Sequence, residues 1–211
     1  MLALVLPQLL HAQYVGASIA GVSSTVDWQY PAPPVDCGFC ISDASPNSNR
    51  NAIAPAIAAQ WRSTHWLGVA SELRFISKGY AITQPTLNVD YLEIPLLLRL
   101  GRLIHDAMPI MPFAEVGPAL AINVHCVWRY SDTFGSCRKG AVLGEQSAIR
   151  RTDISGVIGA GLALRIRRVV IVAGGRVDWG LRDIGGDVVP TKNRSTLMHV
   201  GMLVPISSLT H

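Results

Sequence analysis

Charge is scarce in this chain. Only 15% of its 211 residues are Asp, Glu, Lys or Arg, where a soluble domain carries about 25%. Almost half of the residues are hydrophobic and the mean hydropathy is positive. No stretch reads as a membrane-spanning helix, which needs about 20 mostly apolar residues. The best candidate, Ile154 to Gly175, is broken by Arg165, Arg167 and Arg168. Basic runs and aromatic-interleaved basic patches are also missing. The net charge of +4 is mainly scattered Arg, which argues against a nucleic-acid partner and for solvated turns and internal ion pairs. No internal repeat, coiled coil or second domain is visible, and no spacing of Ser, His and Asp marks a nucleophile. Ser131, Asp132 and His125 share a predicted rim without a pattern that singles them out. The reading is of a non-enzyme, with no cofactor and no metal site.

What the chain does have is alternation. Leu92, Ile94, Leu96, Leu98 and Leu100 alternate with Tyr91, Glu93, Pro95, Leu97 and Arg99. Further on, Ala114, Val116, Leu120, Ile122 and Val124 alternate with Phe113, Glu115, Gly117, Ala121 and Asn123. A period of two is that of a β-strand. These runs are longer than the usual strand of about 5–6 residues and match the 9–11 or so that a tilted strand needs to cross a bilayer. An aliphatic face opposite a face bearing Glu and Arg implies lipid outside and a polar lumen inside. A chain that is apolar in total yet has no spanning helix fits the same reading.

Eight strands can be laid out: Gln13–Ser23, Asn51–Gln60, His65–Ile76, Leu87–Leu100, Ile110–His125, Arg151–Ile166, Arg168–Leu181 and Ser195–Pro205. Their connections tend to alternate long and short. Ser24 to Arg50, Ser77 to Thr86, Cys126 to Arg150 and Arg182 to Arg194 are the longer set; the turns around Ser63 and at Arg167 are tight. Gly101 to Pro109 is intermediate. The expected fold is all-β: an eight-stranded antiparallel up-and-down transmembrane barrel, with long external loops and short periplasmic turns. Trp61 and Trp66 flank one tight turn, where an aromatic girdle would lie. Residues 1–12 read as the end of a signal peptide, with apolar Leu2 to Leu10 before Leu10-His11-Ala12. Residues 13–211 are then the barrel domain.

The run Asp90-Tyr91-Leu92-Glu93-Ile94-Pro95-Leu96-Leu97-Leu98-Arg99 resembles the best-marked strand of the Bacteroidetes-type outer membrane β-barrel domain family, which includes the PorT-like proteins. Glu72 to Gly79 is similar to that family's preceding strand and exit turn, Phe113 to Pro118 to its next strand, and Arg176 to Ile184 to its penultimate strand. The resemblance spans most of the chain after residue 12. It implies an outer-membrane location and a barrel architecture, not a reaction. This chain departs from the family pattern in ending Pro205-Ile206-Ser207-Ser208-Leu209-Thr210-His211 where a terminal aromatic is common, and in carrying cysteines in its first and fifth loops.

By alternation Glu72, Arg74, Glu93, Arg99, Glu115, Arg176 and Asp178 face the lumen. An eight-stranded barrel is just wide enough for side chains to fill it, and buried charges must be paired. Four acids against three bases therefore predict a structural charge network. A gated ion path or a catalytic carboxylate pair is the functional alternative. The cysteines are Cys37 and Cys40, in a C-x-x-C, with Cys126 and Cys137 near one another in sequence. In an exported protein they predict disulfides. Cys126 with Cys137 would close the base of the fifth loop, and cross-loop pairing with Cys37 or Cys40 is equally allowed. Gly156-Val-Ile-Gly159-Ala-Gly161 superficially matches a dinucleotide loop. That chemistry needs a helix at the glycines. Alternation instead makes Gly159 and Gly161 lumen positions that leave room for bulky neighbours. Pro95, Pro112 and Pro118 lie inside strands and predict local bulges.

The expected function is a structural or adhesive role, with the cysteine-bearing loops contacting an extracellular or envelope protein and the barrel wall contacting outer-membrane lipid. Alternatives are a component of a protein-secretion or envelope-assembly complex, a narrow solute channel, a membrane hydrolase, and a soluble lipocalin-like barrel.

Overall fold

The computed structural model describes residues 13–28, 49–62, 64, 66–81, 86–101, 110–130, 133–136, 150–183 and 191–206. The strands in chain order are β1 (Tyr14–Trp28), β2 (Arg50–Arg62), β3 (Leu67–Ala81), β4 (Thr86–Gly101), β5 (Ile110–Tyr130), β6 (Thr133–Ser136), β7 (Thr152–Ile166), β8 (Val169–Gly180) and β9 (Thr191–Pro205). Every neighbour is antiparallel. The sheet runs β4-β3-β2-β1-β9-β8-β7-β5-β6 and closes through β4 with β5. Eight strands thus form an up-and-down barrel, and the short β6 adds a hairpin beyond its rim.

The residues form strands because each face suits its surroundings. Leu96 is 53% exposed and Met198 70%, whereas Arg74 is 1% and Glu93 0% exposed. Aliphatic side chains cover the outside and ionised ones fill the middle, the reverse of a soluble lipocalin-like barrel. The outward run Leu92 to Leu100 is about 20 Å tall at a rise of about 3.3 Å per residue and a tilt of about 40°, close to the apolar band of about 25 Å in membrane barrels. Trp66 and Trp179 are exposed near opposite ends of the belt.

Both ends of the described chain meet at one rim. Gln13 donates its backbone N–H to Gln60, and Ile206 donates to Gln13. The two-residue turn Arg167–Arg168 and the turn at Thr64 lie at that end. Thr64 organises its turn: its Oγ1 accepts from the N–H of Trp66 at 3.3 Å and of Leu67 at 3.1 Å. Arg167 has φ 57°, the left-handed region that glycine favours.

Several strands outrun their expected limits. β3 and β4 keep pairing to Ala81 and Thr86, so the expected long connection from Ser77 to Thr86 shrinks to 82–85. Ser77 Oγ donates to Asp90 Oδ1 at 2.5 Å within that extension. On the opposite rim, 102–109 is the longer segment, so the alternation of loop length is not strict. β9 begins at Thr191 rather than Ser195.

The prolines do not produce the expected bulges. Pairing lapses opposite Pro95 in the β3–β4 ladder and opposite Pro118 in the β4–β5 ladder, and it resumes in the same register on either side. A proline removes one ladder donor, and the flanking pairs of a closed barrel hold the register across the gap. The one shift in the β4–β5 ladder lies at Asp90/Tyr91, where Val124 is the extra residue. This bulge reverses the alternation beyond it. Val124 and His125 both face out and Cys126 turns inward, 4% exposed.

Candidate functional site

The lumen is built from the inward parity of each strand. Among the described residues nine Asp, Glu, Lys or Arg side chains of the lumen are buried: the acids Glu72, Glu93, Glu115, Asp153 and Asp178, five in all, and the bases Arg74, Lys78, Arg99 and Arg176, four in all.

Six of the seven predicted lumen residues join one chain of contacts. At the periplasmic end Arg99 Nη1 donates to Gln60 Oε1 at 3.1 Å. Its Nε and Nη2 donate to Glu115 Oε2 at 3.1 and 2.8 Å. The same guanidinium lies 4.3 Å from the centre of the Phe113 ring, a cation–π contact. Glu115 Oε1 accepts from Arg176 Nε. Arg176 then spans the lumen to Glu72, with Nη1 to Oε2 at 2.9 Å and Nη2 to Oε1 at 2.7 Å. Arg74 Nε is 3.9 Å from Glu72 Oε2, and its Nη2 is 3.1 Å from Glu93 Oε1. Lys78 Nζ donates to Glu93 Oε2 at 2.5 Å. Burial of ions without partners costs several kcal/mol each, and this chain of alternating sign offsets that cost for most of them.

Asp178 stands apart. It is 1% exposed, and neither carboxylate oxygen has a hydrogen-bond partner. Above the network, Asn193 Nδ2 donates to Asp153 Oδ2 at 2.8 Å and to Tyr91 Oη at 3.4 Å. Lys78, Gln60, Asp153 and Asn193 are lumen residues that the sequence reading missed. For Lys78 the signal is present in the sequence: it continues the parity of Arg74 and Ile76, two residues beyond the expected end of that strand. His199 of β9 also points inward, 8% exposed, with neither ring nitrogen hydrogen-bonded.

The glycine run is part of the barrel wall, not a nucleotide loop. A Cβ on Gly159 would lie 2.8 Å from Arg176 Cγ and 3.1 Å from Glu115 Oε1. Its missing side chain is therefore the space that the Arg176–Glu115 pair fills.

At the external rim, His125 Nδ1 and Asp90 Oδ2 are 3.2 Å apart. Among the described residues no group of three His, Cys, Asp or Glu is placed to hold a metal ion. Cys126 is not a free thiol. Cys37, Cys40 and Cys137, and the signal segment 1–12, lie outside the described residues.

A closed antiparallel barrel of eight strands, apolar outside and ion-paired within, is an outer-membrane barrel. Neither a family model nor a curated protein matches the sequence. Solved structures do match. The crystal structure of Neisserial surface protein A is 15% identical, with a TM-score of 0.55 over 91% of this chain and 96% of that one. Ail, the attachment invasion locus protein of Yersinia pestis, is 12% identical, with a TM-score of 0.45 over 92% of this chain and 99% of that one. These likenesses concern the fold. The likeness to Neisserial surface protein A agrees with the eight-stranded barrel of the sequence reading, and no match shows the Bacteroidetes-type family.

Proposed function

We propose that this protein is a non-enzymatic surface protein of the outer membrane, with a structural or adhesive role carried by its external loops. One observation supports this most directly: the lumen is filled by the ion-paired chain from Gln60 to Lys78, so the barrel serves as a rigid support. The long segments between β1 and β2, and between β6 and β7, are then the parts free to meet a partner. A surface protein with the same fold is consistent with that reading.

The β5–β6 hairpin also suggests how the fifth loop is anchored. Val127 faces Ser136 in its register, and Cys126 and Cys137 are their next neighbours along the chain. We propose Cys126–Cys137 as the disulfide that closes this hairpin, since Cys126 is not a free thiol and directly opposed antiparallel residues stand at the separation a disulfide needs. Peptide mapping without reduction tests it; a Cys126 peptide linked to Cys37 or Cys40 would refute the assignment.

The functional test uses cells displaying the protein, with 138–149 replaced by a short Gly-Ser turn. Retained heat-modifiability with loss of attachment to other cells or surfaces supports the loop role. Discrete conductance steps of the intact protein in planar bilayers would sink it in favour of a channel. The resemblance of Asp90 to Arg99 to the PorT-like strand supports a second reading, a part in an envelope-assembly complex. Crosslinking in intact envelopes that yields a stoichiometric envelope partner through the periplasmic turns would favour it.

A further inference from the structure

The charges of the lumen do not balance evenly along its length. Toward the periplasmic end Glu72 and Glu115 are held by Arg99 and Arg176, two acids against two bases in direct hydrogen bonds. Toward the external end three acids, Glu93, Asp153 and Asp178, face two bases, Arg74 and Lys78, and both bases sit on Glu93. Asp153 and Asp178 make no ion pair with the described residues. One negative charge is therefore left over at this end. A buried carboxylate without a counter-charge is strongly unfavourable.

The surroundings of these two carboxylates are rich in oxygen. Both oxygens of Asp178, Asp153 Oδ1, Ser195 Oγ and Asn123 Oδ1 have no hydrogen-bond partner, and none of the four residues is more than 5% exposed. Strand register brings them together. Ser195 stands directly opposite Asp178 in the β8–β9 ladder. Two residues further out on the same face of β9, Asn193 Nδ2 donates to Asp153 Oδ2 at 2.8 Å. Two residues of strand span about 7 Å, so Asp178 and Asp153 flank one short stretch of β9. Asn123 lies next to Asp153 from the other side, because Ala121 is the register partner of Asp153 and Asn123 is the next inward residue of β5.

We propose that Asp153 and Asp178 hold one sodium ion at the external end of the lumen, with Ser195 and Asn123 as neutral oxygen ligands. Carboxylate, amide and hydroxyl oxygens suit a hard cation. With no third His, Cys, Asp or Glu placed among the described residues, the set does not suit a zinc-type metal. The surplus of a single negative charge selects a monovalent ion, since a divalent one would leave Arg74 and Lys78 beside an excess of positive charge. A proton on Asp178 would cancel the charge but would leave the Ser195 and Asn123 oxygens unserved.

The test compares the full chain, refolded in detergent micelles at neutral pH, in sodium chloride and in N-methylglucamine chloride of equal ionic strength. Sodium NMR line width reads binding, and the melting temperature of the unboiled gel band reads its effect on the barrel. The expected result is a sodium line broadened by the protein and a melting temperature raised by about 4 °C at sodium tenfold above its dissociation constant. Asp178→Asn should abolish both responses, and in sodium-free salt it should melt no lower than the wild type, because the surplus charge is gone. Ser195→Ala should fold normally and weaken sodium binding about fivefold, the effect of losing one neutral ligand. Asp90→Asn, on the outer face of β4, should keep both responses. Equal melting in the two salts, sodium broadening that survives in Asp178→Asn, or stabilisation by acid alone with no response to sodium would each overturn the proposal.

Discussion

Arg176 on β8 and Glu72 on β3 meet across the lumen in a two-pronged pair at 2.9 and 2.7 Å, although no ladder joins their strands. The fork geometry of the guanidinium lets one residue tie opposite walls together while its Nε holds Glu115.

Arg176→Leu would leave Glu72 and Glu115 short of a shared counter-charge in a site where Arg176 is 2% exposed. Removing one member of a buried pair costs about 3–5 kcal/mol. Urea unfolding of the protein in micelles should show a loss of that order, and the unboiled gel band should melt at a lower temperature. Replacing Glu72 with Gln in the same variant should recover part of it. A loss under about 1 kcal/mol would mean that the pair adds little beyond a hydrophobic isostere.

Gly159 should tolerate no side chain. A Cβ there would sit 2.8 Å from the Gly175 carbonyl oxygen as well as from Arg176 Cγ. Gly159→Ala is expected to cost about 1–3 kcal/mol, and Arg176→Ala should relieve only the side-chain part, because the carbonyl remains. Full additivity of the two substitutions would argue that they do not share this space.

Leu96 lies near the middle of the outward run on β4. Leu96→Arg should destabilise the barrel in lipid by about 2–4 kcal/mol, the cost of an arginine at the bilayer midplane. Unchanged stability in bilayers, with better solubility without detergent, would contradict the lipid-facing assignment.

Arg167 holds φ 57° in the β7–β8 turn, a conformation strained for a residue with a Cβ. Arg167→Gly is expected to stabilise the barrel by about 0.5–1 kcal/mol, the relief of strain being partly offset by unfolded-state entropy. Its Arg165 contact survives, because Arg165 Nε donates to the Arg167 carbonyl. A destabilised variant would show that the side chain of Arg167 matters more than its backbone.

The alternation of Leu92 to Leu100 with Tyr91 to Arg99 was enough to identify strands, their two faces and the transmembrane barrel, because a period of two leaves no other regular structure and the charged face cannot meet lipid. Alternation also placed Glu72, Arg74, Glu93, Arg99, Glu115, Arg176 and Asp178 inside. It could not show which of them touch. Contact across a lumen depends on the register of strands distant in sequence, and only closure of β1 on β9 and β4 on β5 decided it. The β3–β4 register brought Lys78 to Glu93, and Asp178 was left without a hydrogen bond. The bulge at Val124 turned Cys126 inward against simple parity, since one unpaired residue reverses the faces of every residue beyond it. The prolines were legible as interruptions, but their outcome was tertiary: ladders on both sides absorbed each missing donor without a shift. Local sequence determined which face each residue occupies, and the joint register of eight closed strands decided which residues meet.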